Sequence, residues 1–208
     1  MEISEKILQK KSKKRKDLLD SSYELFTTIG FRNTTIRVIA LNAGVAKGTF
    51  YLYFKSKEDV RDELIKIKSS ALLLQAMDAL DEKKADQKMD AADQVVFLAD
   101  YIIDILRSDL TLLKFISKNL NWSTLYNAKS EDQDGIEVVD FHEFVVKGLE
   151  KDGIKIKDPE LVIYTILELL NSTCYNVILK EEPVSFSEYK PYLYDTIRMI
   201  VNKSLISE

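Results

Sequence analysis

Residues 34–60 read TTIRVIALNAGVAKGTFYLYFKSKEDV. A short helix fits residues 35–42, with Asn33 or Thr34 as its N-cap. Ala43-Gly44-Val45 then makes a tight turn, with glycine where a positive φ is easiest. A second short helix fits residues 46–53. Two short helices sharing one glycine turn outline a helix-turn-helix. Phe50 and Phe54 are four apart and face inward, joined by Val38, Ile39 and Val45. Lys47, Gly48 and Thr49 then stand at the N-terminal end of the second helix, where such motifs meet base edges. Gly48 lets a backbone approach closely. Thr49 offers a hydroxyl and a methyl, and Arg37 suits a bidentate contact to guanine. Thr35, Tyr51, Tyr53, Lys55 and Lys57 are rim donors suited to phosphates, and Thr35 and Lys57 begin helices, where free N–H groups also favour anions.

Upstream, residues 4–29 fit one helix. Leu19, Tyr23 and Phe26 form its apolar stripe at i, i+4, i+7, and Gly30 suits a left-handed C-cap. Residues 10–16, KKSKKRK, precede the stripe. They read equally as solvated charge or as an arm tracking phosphates.

The charge is divided along the chain. The net charge is −4, yet residues 1–57 carry 12 Lys/Arg and 5 Asp/Glu, a net +7. Residues 58–208 carry 18 and 29, a net −11. This asymmetry fits a polyanion-binding head on an acidic body.

Downstream, Ser56 caps a long helix over residues 57–80, and residues 81–90 read as a connector. Further helices fit residues 92–107 and, capped by Ser108 or Asp109, residues up to 120. Residues 127–135 are the most loop-like, and helical spacing resumes over 136–151. Asp158-Pro159 starts a helix over 159–180, apolar nearly all round. Ser185 and Glu188 form a capping box for a last helix to about residue 204.

Composition agrees with an all-α fold. Apolar residues make up 46% of 208, with only 6 Gly and 3 Pro. Ordinary usage would give roughly 12% for that pair, and a β-sandwich or barrel needs more turns. Cys174 and His142 are each alone of their kind, so no disulfide framework, cysteine metal site or histidine-rich zinc site is expected. No glycine-rich phosphate loop or paired-carboxylate signature appears, so no catalytic residue, metal or cofactor is assigned. No apolar run is expected to span a membrane, and the charged N-terminus is unlike a signal peptide, so a cytoplasmic protein is the expectation.

The first 60 residues or so resemble the TetR family of bacterial transcriptional regulators. The resemblance rests on Thr35, Ile39-Ala40, Ala43-Gly44-Val45, Lys47-Gly48-Thr49-Phe50-Tyr51, Tyr53-Phe54 and Lys57-Glu58, with Phe26, Gly30 and Phe31 upstream. It implies a three-helix DNA-binding domain, residues 1–56, followed by a larger helical ligand-binding and dimerisation domain, residues 57–208. It also implies base readout at Arg37, Lys47, Gly48, Thr49 and Tyr51. Family members pair their last two helices as a four-helix bundle, so a homodimer on palindromic double-stranded operator DNA is expected. The implied function is a repressor released by a small hydrophobic or cationic effector. A same-fold regulator answering a protein partner, an activator, and a helical enzyme are the alternatives.

Tyr164, Glu168, Asn171 and Tyr175 share one face of the 159–180 helix. Glu168 there would be a costly buried charge unless paired, either by an internal salt bridge or by a ligand. Phe97, Tyr101, Phe115, Trp122, Tyr126, Phe141 and Phe144 are candidate pocket walls.

Overall fold

A computed structural model describes residues 2–120, 122–126, 131–133 and 136–206. The chain is helical, and two apolar clusters organise it. The first helix, α1, runs Glu2–Leu25 and continues through a π-helical turn, Phe26–Gly30. Gly30 has φ 87°, a left-handed conformation that costs glycine little. α2 covers Ile36–Asn42 and α3 covers Lys47–Phe50. The cap of α2 is Thr35, whose Oγ1 accepts from the Val38 amide at 3.3 Å, and not Asn33 or Thr34. Gly44, at φ 65°, makes the turn, and the Val45 amide donates to the Ala40 carbonyl at 2.9 Å. α3 is shorter than expected, and residues 51–53 form turns after it.

α4 covers Lys57–Asp86, six residues longer than the sequence pattern suggests. At 1.5 Å per residue it is about 45 Å long. Ser56 caps it through the Asp59 amide, and Glu58 and Asp59 sit favourably in its first turn. Its first half buries Val60, Leu64 and Ile65 with Leu18, Leu19, Phe26, Ile39, Phe50 and Phe54, forming the head core. Val45 packs against this core as expected, whereas Val38 lies at the exposed side of α2. The core also takes Leu72 of α4, and Phe115 and Ile116 of α6 (Leu110–Asn119).

The rest of the body comprises α5 (Ala91–Ser108), α7 (Trp122–Tyr126), α8 (Phe141–Lys151), α9 (Pro159–Leu179) and α10 (Phe186–Ser204). Side chains of Asp90, Asp109, Asp140 and Ser185 cap α5, α6, α8 and α10, the last with the expected capping box. Asp158, by contrast, adopts φ 48° and makes no capping bond to α9.

The expected helix over 136–151 is a correction. β1 (Glu131–Gln133) pairs antiparallel with β2 (Ile136–Val138), and the helix starts only at Phe141. Ile136, Val138 and Val139 are apolar, and Val138 and Val139 are buried against the body. The Val139 amide donates to Ser70 Oγ of α4 at 3.1 Å. Such tertiary anchoring outweighs a short helical pattern.

The second core joins α5, α9 and α10 through residues such as Ile103, Val162, Ile166, Val177, Leu193, Ile197 and Val201. Among the described residues, α9 is one helix long and apolar enough to cross a membrane by length and composition, where the sequence pattern suggested none. In this fold five of its residues lie in the protein core, so its apolarity has another explanation.

Candidate nucleic-acid interface and effector cavity

α2 and α3 present one face of the head to solvent. Arg37, Lys47, Gly48, Tyr51 and Lys55 are exposed, as is the cap residue Thr35. Thr49 and Tyr53 are half-buried, and Tyr53 packs against the head core. Phe50 is fully buried and its ring lies 5.8 Å from that of Phe54, as the i, i+4 spacing implies. With Phe50 and Phe54 turned in, Tyr51 and Leu52 are turned out, Leu52 to 77% exposure. Leu41 on α2 is equally open. Sequence reasoning misses these two leucines as surface residues. The signal is there, since each flanks residues assigned inward.

Gly48 has an ordinary φ, and a Cβ built on it would meet nothing within 4 Å. Its own fold therefore does not require glycine at this position, although glycine is a poor helix former.

Lys57 is engaged within the chain. Its Nζ donates to the Phe31 carbonyl at 2.8 Å and the Thr34 carbonyl at 3.0 Å, and lies 4.4 Å from the Phe31 ring centroid. It therefore clamps the turn before α2 to the start of α4. Arg15 makes a second clamp. Its Nη2 lies 2.6 Å from Glu63 Oε1, and its guanidinium is 5.9 Å from the Phe54 ring centroid.

The body contains two adjoining apolar cavities. The first, of about 90 Å³, is lined by Leu72, Ile102, Leu106, Leu113, Ile116, Leu120 and Leu125, with Ser69, Ser117, Asn171 and Cys174 as its polar points. The second, of about 80 Å³, is lined by Leu73, Val95, Leu98, Val145, Leu149, Val162, Ile163 and Ile166. Ile102, Phe141, Leu167 and Leu170 border both. Among the described residues no charged side chain lines either one. A wider hollow of about 330 Å³ between α4 and α8 shares Val95, Leu98, Val145 and Leu149 with the second cavity. Lys84, Lys147 and Lys151 line this hollow, together with Asp78 and Asp81. Lys84 Nζ lies 2.5 Å from Asp152, which holds the Asp152 carboxyl below its ordinary range and raises the lysine.

The aromatic residues expected around a pocket are dispersed. Of those whose side chains are described, Phe141 alone borders the two apolar cavities, and Phe144 borders the hollow. Phe97 and Tyr101 stack on each other at 6.3 Å. Trp122 meets Tyr164 edge-on at 5.3 Å. Phe115 is buried edge-on to Tyr23 of α1 at 5.1 Å, at the joint between head and body. Burial beside Phe115, with Asp109 near, raises the Tyr23 hydroxyl above its ordinary range. The side chains of Tyr126 and His142 lie outside the described residues.

The shared α9 face also divides. Asn171 lines the first cavity, and its Oδ1 is buried without a hydrogen-bond partner. Tyr175 is half-buried below Lys180, whose Nζ is 5.7 Å from the ring centroid. Tyr164 is exposed. Glu168 is exposed too, which corrects the expectation of a buried carboxylate. The cavity walls are aliphatic instead. Leu98 and Ile102 of α5 face the cavities, and Ala99 and Ile103, which pack in the body core, border them as well. Such a helix looks like an ordinary buried one in sequence. Cys174, at the cavity edge, is pushed up to about 11 by burial, so it is an inert thiol at neutral pH.

A basic three-helix head carrying a helix-turn-helix, built onto an acidic helical body, defines a DNA-binding regulator. Residues 18–64 match the family described as bacterial regulatory proteins, tetR family. The chain is 26% identical over 161 residues to the HTH-type transcriptional regulator YhgD of Bacillus subtilis, covering 75% of this chain and 80% of that one. It is 34% identical over 76 residues to the fatty acid metabolism regulator protein of Bacillus subtilis, 36% of this chain and 39% of the relative. The solved structure of the regulator FadR from Bacillus subtilis, in complex with stearoyl-CoA, superposes with a TM-score of 0.54 at 19% identity, covering 87% of this chain and 96% of that one. Residues 18–64 therefore carry the DNA-binding region of the TetR family of bacterial transcriptional regulators, and the chain is similar to regulators of that kind over most of its length.

Proposed function

We propose that this protein is a cytoplasmic, homodimeric repressor whose two heads hold a palindromic operator and whose body releases it on binding a long-chain, apolar effector with an anionic head. Residues 1–56 are its DNA-reading unit and 57–208 its effector and dimerisation unit, with α4 and α6 shared between them. Arg37, Lys47, Gly48, Thr49 and Tyr51 read bases, and Thr35, Tyr53, Lys55 and Lys57 face phosphates. The open space at Gly48 supports this, since the room is left for something outside the chain. Lys57 contributes mainly by holding Phe31 and Thr34 in place.

A dimer through α9 and α10 is favoured by apolar side chains left open there. Leu161 and Met199 are each 64% exposed and Tyr192 is 75% exposed. Such a patch on one chain suits an interface. Ile166 and Ile197, apolar residues of the same two helices, are instead buried within the chain.

The observation that carries the regulatory reading is a shared wall. Leu72 and Ile116 line the first cavity and also belong to the head core. A ligand that fills the cavity therefore pushes on side chains that seat the head. α6 carries the push further, because Phe115 on it meets Tyr23 of α1. The narrow apolar cavities suit one extended hydrocarbon chain, and its anionic end would reach the hollow by taking Lys84, Lys147 or Lys151 from the carboxylates of Asp152, Glu143 and Asp81 that now pair with them. The cationic effector loses its proposed anchor because Glu168 is exposed. The relatives named for fatty acid metabolism and stearoyl-CoA point to the same chemistry.

The test is operator binding measured during titration with stearoyl-CoA, with palmitate and coenzyme A alone as comparisons. The expected result is release by the long-chain thioester together with a raised melting temperature. If stearoyl-CoA and palmitate at saturating concentration leave both operator affinity and melting unchanged, the effector assignment fails. Arg37→Ala separately tests the reader, with an expected cost of about 1–3 kcal/mol per half-site and relaxed preference at one base pair. Equal loss on operator and scrambled DNA would make Arg37 a phosphate anchor.

A further inference from the structure

The inward face of α1 consists of Arg15, Leu18, Leu19 and Ser22, all buried. Nothing upstream of Arg15 is buried among the side chains described. The thirteen residues from Glu2 to position 14 nevertheless continue the helix, adding about 20 Å beyond that packing. Lys10, Lys11, Lys13 and Lys14 on this stretch, and Lys16 just after it, are all exposed. Among the described residues none of them is ion-paired. Lys10–Lys14, Lys10–Lys13, Lys11–Lys14 and Lys13–Lys16 are i,i+4 or i,i+3 neighbours, so like charges oppose the helix they sit on. A polyanion laid along it would remove that opposition.

The place where this stretch leaves the head identifies the polyanion. Arg15 is fixed between Glu63 and the Phe54 ring, directly after the turn that follows α3. Tyr53 and Lys55 flank Phe54 on the rim assigned to phosphates. The lysines upstream of Arg15 therefore leave the head beside the segment that carries Tyr53 and Lys55. Neighbouring lysines on one helix face are about 5–6 Å apart, wider than the roughly 3.4 Å of axis per charge on one DNA strand, so each can meet a separate phosphate. The acidic body of a second copy offers the same sign of charge without continuity with the rim.

We propose that the basic first half of α1 is a second DNA-binding element, an arm that follows backbone phosphates beyond the bases read by α3. The proposal rests on the DNA-binding reading above and adds a surface to it. The arm supplies affinity and salt dependence but no sequence preference, because lysines on phosphates carry none.

The experiment compares the full-length wild type with a variant carrying Lys10→Gln, Lys11→Gln, Lys13→Gln and Lys14→Gln. Both are bound to a duplex selected from random DNA by the wild type and to a scrambled duplex of equal length, over roughly 50 to 200 mM salt. The variant is expected to lose affinity for both duplexes by the same factor, with the operator-to-scrambled ratio preserved. Its salt slope should be shallower by about 0.9 for each phosphate that the arm no longer neutralises. Amide exchange over residues 7–14 should slow when the wild type binds DNA. An unchanged slope and affinity overturns the arm while leaving the head's role intact. A changed operator-to-scrambled ratio overturns it in favour of base reading, and weakened dimerisation with an unchanged slope assigns the arm to the partner's acidic body. Absence of any DNA binding by the wild type would remove the functional reading itself.

Discussion

The head and the body are packed to different standards, and the difference follows the division between the proposed DNA reader and the proposed effector domain. The head core sets Phe50, Leu18, Ile39, Val60 and Ile65 at essentially zero exposure. The body leaves two adjoining apolar cavities among α4, α5, α6, α8 and α9. Side chains in a close-packed core occupy one arrangement, and a change of one methylene is felt. The wall of a cavity has no partner atoms on one side, so a ligand can stabilise the body where nothing can enter the head. The two are joined by residues that belong to both, Leu72 and Ile116, and by the packing of Tyr23 on Phe115. Regulation through that joint needs a rigid reader and a deformable receiver.

The largest expected effect breaks the head. Phe50→Ala should cost about 3–5 kcal/mol in denaturant unfolding, the range for deleting a buried phenylalanine. A loss well under this would show that the head relaxes as the body does. The next test compares enlargement at two leucines. Leu64→Phe in the head core should destabilise by about 1–3 kcal/mol through overpacking. Leu170→Phe, which borders both cavities, should instead stabilise by roughly 0.5–2 kcal/mol and block the effector. Equal destabilisation by both substitutions would erase the contrast between the two regions.

A smaller effect sharpens the joint. Phe115→Leu removes an aromatic pair worth about 0.5–1.5 kcal/mol beyond area burial. Operator affinity without effector should be nearly kept, while more effector should be needed for release. If the titration midpoint does not move, coupling runs through α4 alone. The smallest effect concerns the pair closing the hollow. Asp152 has a depressed pKa in the folded state, so its contribution is present above the unfolded value and fades as pH falls through the folded one. Lys84 is raised, so its share is present below its unfolded value and is lost only as pH rises through the folded one. Asp152→Asn should therefore cost about 1 kcal/mol or less at neutral pH and nothing in acid. Chemical denaturation at pH 7 and pH 2.5 checks this, and an equal loss at both would make Asp152 a packing residue.

The head is legible in the sequence because its signals are local. Glycine at the turn, hydroxyls at the starts of α2 and α4 and phenylalanines four apart each constrain only their neighbours, and those neighbours are enough. The cap of α2 differs from expectation by one or two residues, since Asn33, Thr34 and Thr35 are all chemically suitable and only backbone geometry selects Thr35. Lys57 shows a different limit. A lysine at a helix start reads as an anion binder, and only the fold brings the Phe31 and Thr34 carbonyls within reach of its Nζ.

In the body, residue type and period determine that there are apolar helices and where α5, α9 and α10 begin, though not α7 or the start of α8. Which of their faces meet is decided by tertiary packing. Glu168 has apolar neighbours that suggest an inside position, yet it stands outside because α9 turns that position away from the core. Residues 136–138 have helical spacing and form a strand where β1 supplies backbone partners. The aromatic residues are the conspicuous wall candidates, yet aliphatic ones enclose the cavities. The sequence by itself therefore determined the helix-turn-helix, the charge division and the helical class, because periodicity and capping act over a few residues. The tertiary structure alone decided the cavity, its shared wall with the head and the clamps at Arg15 and Lys57, because a void and a long-range contact are properties of several elements at once.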